Sequence, residues 1–237
     1  MSSNIWTPHA VSSEAFAWAS LAWRMVEAQH VASTMKLVDT EAEQTLLEAL
    51  LDSNKPPYAA DTEHLDYLLS TPFRYPSRAG GSRFRGPNDP GVFYAAETVR
   101  TAAAELGYWR WRFLMDAPAL SRIEPVPHTA FQVSLATQAI DLRNPPFNQD
   151  PAWQHKTNCQ PTQALAVTAR EVKLGAIIYT SVRDPQPAWC IAVLTPQAFK
   201  ENTPRPEKQT WWLVVNTQEV IWRRDYESFT FDSVLWE

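Results

Sequence analysis

Glycine is scarce in this chain, with 6 in 237 residues, while proline is plentiful at 19. Loops are therefore stiff, and few positions adopt positive φ readily. Only Cys159 and Cys190 carry thiols. They form no CxxC and have no histidine at ligand spacing, which argues against structural zinc. There is no basic excess: 21 Lys and Arg face 26 Asp and Glu, for a net charge of −5. A nucleic-acid binder would show a basic stripe, and no helix-turn-helix is recognisable. No apolar run approaches the length of a membrane span. The polar stretch Met1 to Trp6 lacks the apolar region of a signal peptide. The expectation is a cytoplasmic protein with reduced thiols, no membrane contact and no direct nucleic-acid partner. G-x-S-x-G, H-E-x-x-H, the P-loop and G-x-G-x-x-G are all missing, which sets aside the chemistries they carry.

The composition that remains is 45% hydrophobic and 20% charged, as in ordinary globular domains. Eleven tryptophans suit a core-filling role. Ser13 reads as the cap of a helix running to about Gln29, apolar around much of its circumference and so packed on more than one side. Thr40 and Glu43 form a T-x-x-E capping box ahead of Leu46, Leu47, Leu50 and Leu51. A third short helix would use Leu65, Leu68 and Leu69 and end before Pro72. Residues 72–91 read as a strand followed by loops. Val92–Ala95 reads as a short strand, and about Thr98 to Leu114 as a helix with Ala102, Leu106, Trp109 and Phe113 at helical spacing. Further on, Ala130–Leu135, Ala176–Thr180, Cys190–Leu194, Trp211–Val215 and Glu219–Arg223 read as strands. Residues 141–161 form a proline-rich ordered connection, with a helix at about Thr162–Arg170 after it. The fold class is α+β with an N-terminal helical layer, divided into an extension over 1–69 and a domain over 70–237.

Three stretches carry chemistry. The first runs from Pro72 to Gly86 and gathers Arg74, Arg78, Arg83 and Arg85 among glycines. Arginine forks suit phosphate oxygens, and glycines permit close backbone approach. The alternative is a solvated basic loop. The second holds Tyr94 and then Glu105, which flanks the apolar stripe of its helix. A carboxylate there requires a partner, either an arginine of a site or one of a structural ion pair. The third is Gly175 to Pro185, a buried strand ending at Ser181 and Arg183. Ser181 lacks a His or Lys at motif spacing, which favours binding over covalent catalysis. The five scattered histidines read as surface or core residues.

Taken in order, PFRYPSRAGGSRF, VFYAAETVRTAAAELGYWR and LGAIIYTSVRDPQPAWCIAVLTP resemble the RES domain family over roughly residues 70–200. The stretch WRMVEAQHVASTMKLVDTEAEQTLLEALLDSNKP is similar to the helical extension of one RES subgroup. The resemblance implies a fold like that of ADP-ribosyl-transferring toxins. It also implies the toxin half of a bacterial RES/Xre toxin–antitoxin pair that consumes NAD⁺ as substrate, with no metal and no separate cofactor. The implied partner is an Xre-type antitoxin that blocks the site, with a homodimer as one arrangement inside the complex. By the same resemblance, Arg74 and Arg83 match the family arginines and would bind the pyrophosphate. Tyr94 matches the site tyrosine, Glu105 the family glutamate and Ser181 the family serine. Ser82-Arg83-Phe84-Arg85 stands where the general pattern has Gly-Arg-Trp-Asn, with Phe able to replace Trp in packing. Asp184-Pro185-Gln186-Pro187 lacks the glycines that often follow the Ser-Val-Arg segment, which bears on the shape of that loop. The implied reaction breaks the nicotinamide–ribose bond. Tyr94 would pack near the nicotinamide, Glu105 would stabilise the ribosyl cation or orient water, and Ser181 would hydrogen-bond the ribose or amide. ADP-ribosyl transfer to a protein, and an inactive RES domain serving as an interaction module, are the alternatives.

Overall fold

A computed structural model describes residues 6–28, 37–76, 80–186 and 188–237. Met1 to Ile5, Gln29, Arg78 and Pro187 therefore lie outside the described residues. The first helix, α1 (Pro8–Ser13), is capped by the Thr7 hydroxyl. Ser13 closes this helix rather than opening one, and the chain runs directly into strand β1 (Phe16–Glu27). The helix expected from Ser13 onward is thus corrected to a strand. Apolar residues fall on both faces of this strand, with Ala22 and Met25 buried and Phe16 and Leu21 exposed. Alternate residues part accordingly: Trp23 and Met25 join one hydrophobic cluster, while Trp18, Ala22 and Val26 join the other.

Helix α2 (Glu41–Ser53) begins with the expected capping box. The Glu43 N–H donates to Thr40 Oγ1 at 3.2 Å, and the Thr40 N–H donates to Glu43 Oε2 at 3.2 Å. Helix α3 (Tyr67–Arg74) contains Pro72 instead of ending before it, so the strand expected from residue 72 starts as helix. Gly91 lies against this turn, where a Cβ would stand 2.4 Å from the Pro72 oxygen and from Phe73 Cα. Strand β2 (Phe93–Ala96) follows, then helix α4 (Val99–Met115), capped by Thr98. Its buried face is Ala102, Ala103, Ala104, Tyr108, Trp111 and Leu114, while Trp109 and Phe113 are exposed. The buried stripe is rotated from the expected one because the three alanines let the helix lie close to the sheet.

Strand β3 (Arg122–Asp141) is 20 residues long and far exceeds the expected 130–135. Its pairing shifts between Ile123 and Val126, around Pro125, as a proline in a strand requires. Two 3₁₀ turns, Phe147–Gln149 and Pro151–Gln154, order the proline-rich connection ahead of α5 (Gln160–Glu171). The remaining strands are β4 (Ala176–Thr180), β5 (Trp189–Val193), β6 (Lys208–Asn216), β7 (Glu219–Arg224) and β8 (Glu227–Asp232). The last of these was not expected from the sequence.

The eight strands run in the order β1-β2-β5-β4-β3-β6-β7-β8, with an additional β1–β3 pairing. That pairing joins Phe16 to Ala139 and continues in register to Glu27 and His128. It closes β1, β2, β5, β4 and β3 into a hydrogen-bonded circuit, which leaves no free edge among them. The antiparallel strands β6, β7 and β8 extend the sheet from β3. One hydrophobic cluster gathers around α4 and α5, and the other beneath α3. Among the described residues, no helix is long and apolar enough to cross a membrane.

Candidate functional site

On the α4 side of the circuit lies a cavity of about 490 Å³. Strands β1 and β2 form its floor and α4 one wall. The segment after the second 3₁₀ turn forms another wall, with Lys156, Thr157 and Cys159. Arg83, Tyr94 and Glu105 all border it.

Glu105 projects from the second turn of α4. Its Oε1 accepts a hydrogen bond from Ser181 Oγ at 2.7 Å, and Cys190 Sγ of β5 lies 3.8 Å from the same oxygen. Glu105 Oε2 has no protein partner among the described residues. One carboxylate oxygen is thus held by the protein and the other is left for a ligand. Burial, and next the Glu105 charge, push the Cys190 thiol well above its ordinary range, so it is protonated and can donate.

Ser181 follows the last residue of β4 and is buried behind Glu105, not among the residues bordering the cavity. Its hydroxyl donates to Glu105 and accepts the N–H groups of Arg183 and Asp184 at 3.2 and 3.1 Å. A hydroxyl offers one proton and two lone pairs, and all three are engaged. Its hydrogen-bonding groups are thus all engaged by the protein in this arrangement. Asp184 secures the same turn to the start of α4. Its Oδ2 accepts from Thr101 Oγ1 at 2.9 Å, and its Oδ1 accepts from Arg100 Nε at 3.2 Å. This clamp defines the loop whose missing glycines had left its shape open.

The Tyr94 hydroxyl accepts the Phe84 N–H at 2.9 Å and lies 2.8 Å from Ser82 Oγ. Burial pushes it above its ordinary pKa even though both hydrogen bonds act downward, so it stays neutral. With the hydroxyl committed, Tyr94 presents ring to the cavity. It also fixes the Arg83 turn, in which Ser82 and Arg85 pair as an isolated bridge. Gly81, at φ 72°, starts that turn, and a Cβ there would meet the Arg85 oxygen at 2.2 Å.

Arg83 is buried. Its Nη1 donates to the carbonyls of Trp153 and His155 at 3.2 and 3.1 Å, and its Nη2 also donates to His155 O at 3.1 Å. Its Nε has no protein partner among the described residues. Arg74 stands apart from the cavity. It stacks on the Tyr58 ring, with Cζ 3.9 Å from the centroid, and its Nε donates to the Pro56 carbonyl. Arg85 likewise serves its own turn, donating to the carbonyls of Asp89 and Tyr75 at 3.1 and 2.9 Å.

Sequence reasoning did not single out Arg112, Lys156, Cys190 or Trp23, all of which border the cavity. Arg183 was seen at the strand end but given no role. Its guanidinium lies 3.4 Å above the Tyr108 ring and donates to the Lys156 carbonyl. The one available signal was its place two residues after Ser181. Arg83, Arg112, Lys156 and Arg183 border the same cavity as Glu105, although Lys156 Nζ donates to the Leu235 and Glu237 carbonyls at 2.9 and 3.0 Å and Arg112 pairs with Asp116 at 3.3 Å. Among the described residues, no group of three or more His, Cys, Asp or Glu side chains is placed to hold a metal ion.

No curated protein matches the chain. Among solved structures, the M. tuberculosis MbcT-MbcA toxin-antitoxin complex aligns at TM-score 0.48 and 12% identity, over 97% of this chain and 93% of that one. The model of the RES domain matches residues 56–216, well over half of the chain, and the protein belongs to the RES domain family.

Proposed function

We propose that this RES domain is a toxin that hydrolyses NAD⁺ at the nicotinamide–ribose bond and is neutralised by an Xre-type antitoxin, on a fold of the ADP-ribosyl-transferring kind. The observation that carries the chemistry is the Glu105 carboxylate, held through one oxygen and open at the other, in a cavity bordered by Arg83, Arg112, Lys156 and Arg183. The toxin role and the antitoxin rest on the motif resemblance. The cavity volume of about 490 Å³ falls in the range of small-molecule sites.

In this reading Arg83, through its free Nε, and Arg183 hold the pyrophosphate, with Arg112 and Lys156 adding positive charge to the cavity and Arg74 taking no part. The Tyr94 ring packs against the nicotinamide. As the glycosidic bond lengthens, its electron pair leaves with nicotinamide and positive charge grows on the ribose. Glu105 Oε2 stabilises that charge or orients the entering water. Water adds its oxygen to the ribosyl carbon and releases a proton, giving ADP-ribose. Ser181, by fixing Oε1, sets where Oε2 points.

The test is incubation of purified protein with NAD⁺, following nicotinamide and ADP-ribose by chromatography, with Glu105→Gln alongside. Wild type should yield both products, and the variant about 10²–10³-fold less, the scale for losing one aimed electrostatic group. Nicotinamide without matching free ADP-ribose would transfer the reading to modification of a protein. No turnover, in buffer and in lysate, would leave an interaction module.

A further inference from the structure

A second cavity, of about 170 Å³, opens between β1, α3, β3 and β6, bordered by Arg24, Glu27, Tyr67, Thr71, Thr129 and Lys208 among others. Arg24 has the strand parity of Ala22 and Val26, and its guanidinium lies 4.5 Å from the centroid of Phe93. All of these belong to the α3 face, so the side chain turns away from the Glu105 cavity, although Arg24 borders both spaces.

Among the described residues the Arg24 guanidinium makes one hydrogen bond, from Nη1 to the Tyr94 carbonyl at 2.7 Å. Its Nε is enclosed with no partner, and among the described residues Nη2 has none either. The enclosed Nε offers no surface to a ligand, so an anion would meet the guanidinium at Nη2, which carries two N–H donors and part of the delocalised charge. Burial pushes the Arg24 pKa down only to about 10, so the group is charged at neutral pH. Lys208 has no protein partner among the described residues. Glu27, the acid of the groove, is engaged by Arg110.

We propose that this groove is a binding site for a small oxyanion, a carboxylate or a phosphate monoester, held by Nη2 of the Arg24 guanidinium and by Lys208. The site stands apart from the NAD⁺ reading. Through Arg24 it touches the backbone of Tyr94, so an occupant would brace the strand that carries a wall of the other cavity.

The experiment is a ¹H–¹⁵N spectrum of the arginine Nε–H groups, titrated with sodium phosphate and, separately, sodium acetate at constant ionic strength. Arg24→Lys identifies the Arg24 signal, with through-bond assignment as the second route should that variant not fold. The Arg24 signal should shift saturably with at least one anion. Lys208→Ala, a surface change, should weaken that binding about fivefold, as expected for loss of one exposed charge. A response to phosphate alone supports the site with a phosphorylated ligand, and a response to acetate alone supports it with an acidic one. The proposal is overturned if neither anion moves the Arg24 signal, or if the affinity is the same in Lys208→Ala.

Discussion

Strand β2 separates two regions built on opposite plans. Phe93 and Ala95 face the α3 side, where Phe93 meets Phe199 edge-on at 5.0 Å between ring centroids, among Leu65, Leu69, Phe131 and Ile191. Tyr94 and Ala96 face the α4 side, where buried polar groups recur and are tied together: Tyr94 to Ser82 and Phe84, and Ser181 to Glu105. One side holds its shape by close packing of apolar side chains. The other packs apolar side chains as well but also holds a hollow open, and the polar groups of its walls are fixed by hydrogen bonds. Both sides thus contribute packing, the α4 side through Trp111, Trp153, Trp211, Trp222 and Phe231, and the α4 side adds the tied polar groups that keep a charged cavity in shape.

The largest effect should come from breaking the packed side. Phe93→Ala removes a fully buried ring from the α3 cluster and should cost about 3–5 kcal/mol of folding stability. Urea unfolding measures this, while turnover per folded molecule should change far less than in Glu105→Gln. A variant that lost activity while keeping its urea midpoint would show that the two sides are not divided in this way.

Next in size is the contrast between two arginines that look alike in sequence. Arg83→Ala leaves the buried carbonyls at Trp153 and His155 without their donors and removes a cation from the cavity wall. Stability should fall by about 1–3 kcal/mol, and the KM for NAD⁺ should rise. Arg74→Ala loses its stacking on Tyr58, worth about 0.5–1 kcal/mol, and should leave kcat and KM unchanged. Equal effects on KM would return Arg74 to the ligand site.

That pair also marks how far the sequence could be read. Glu105, Tyr94 and Arg83 were legible because motif order brought out residues that border one cavity, and the Thr40–Glu43 box was legible because capping is local. Strand β1 was not. Its alternation is hidden because apolar residues stand on both of its faces, exposed Phe16 and Leu21 among them, and its pairing with β3 joins residues more than a hundred positions apart in the chain. Arg74 misled because arginine spacing shows charge but not where the fork points. In the fold that fork turned to Pro56 and Tyr58. Ser181 was singled out at the end of its strand, and its place behind Glu105 involves two backbone N–H groups that no side-chain pattern reveals.

The smallest effect concerns acid, and it should be felt on the α4 side. His128 lies on β3 against Trp222, with ring centroids 4.9 Å apart. Its Nδ1 stands 3.0 Å from the Val126 carbonyl, which can only accept, so Nδ1 carries the hydrogen. Nε2 is then an enclosed, unpartnered lone pair, and burial pulls the folded pKa below the ordinary 6.5. The unfolded chain takes up a proton at about 6.5, whereas the folded chain resists it until lower pH. The contribution is therefore complete above 6.5 and is lost as pH falls from there through the depressed folded value. Tyr94, Tyr179 and Cys190 are shifted upward and stay protonated throughout this window. Carboxylates add a slope of their own, so the measurement is a difference: urea midpoints at pH 8 and pH 5.5 for wild type and for His128→Phe. The wild type should lose more stability across that interval than the variant, because phenylalanine presents nothing to protonate beside Trp222. Equal losses would mean that His128 finds a partner for Nε2 in solution, and the α4 side would then be as closed to protons as the α3 side.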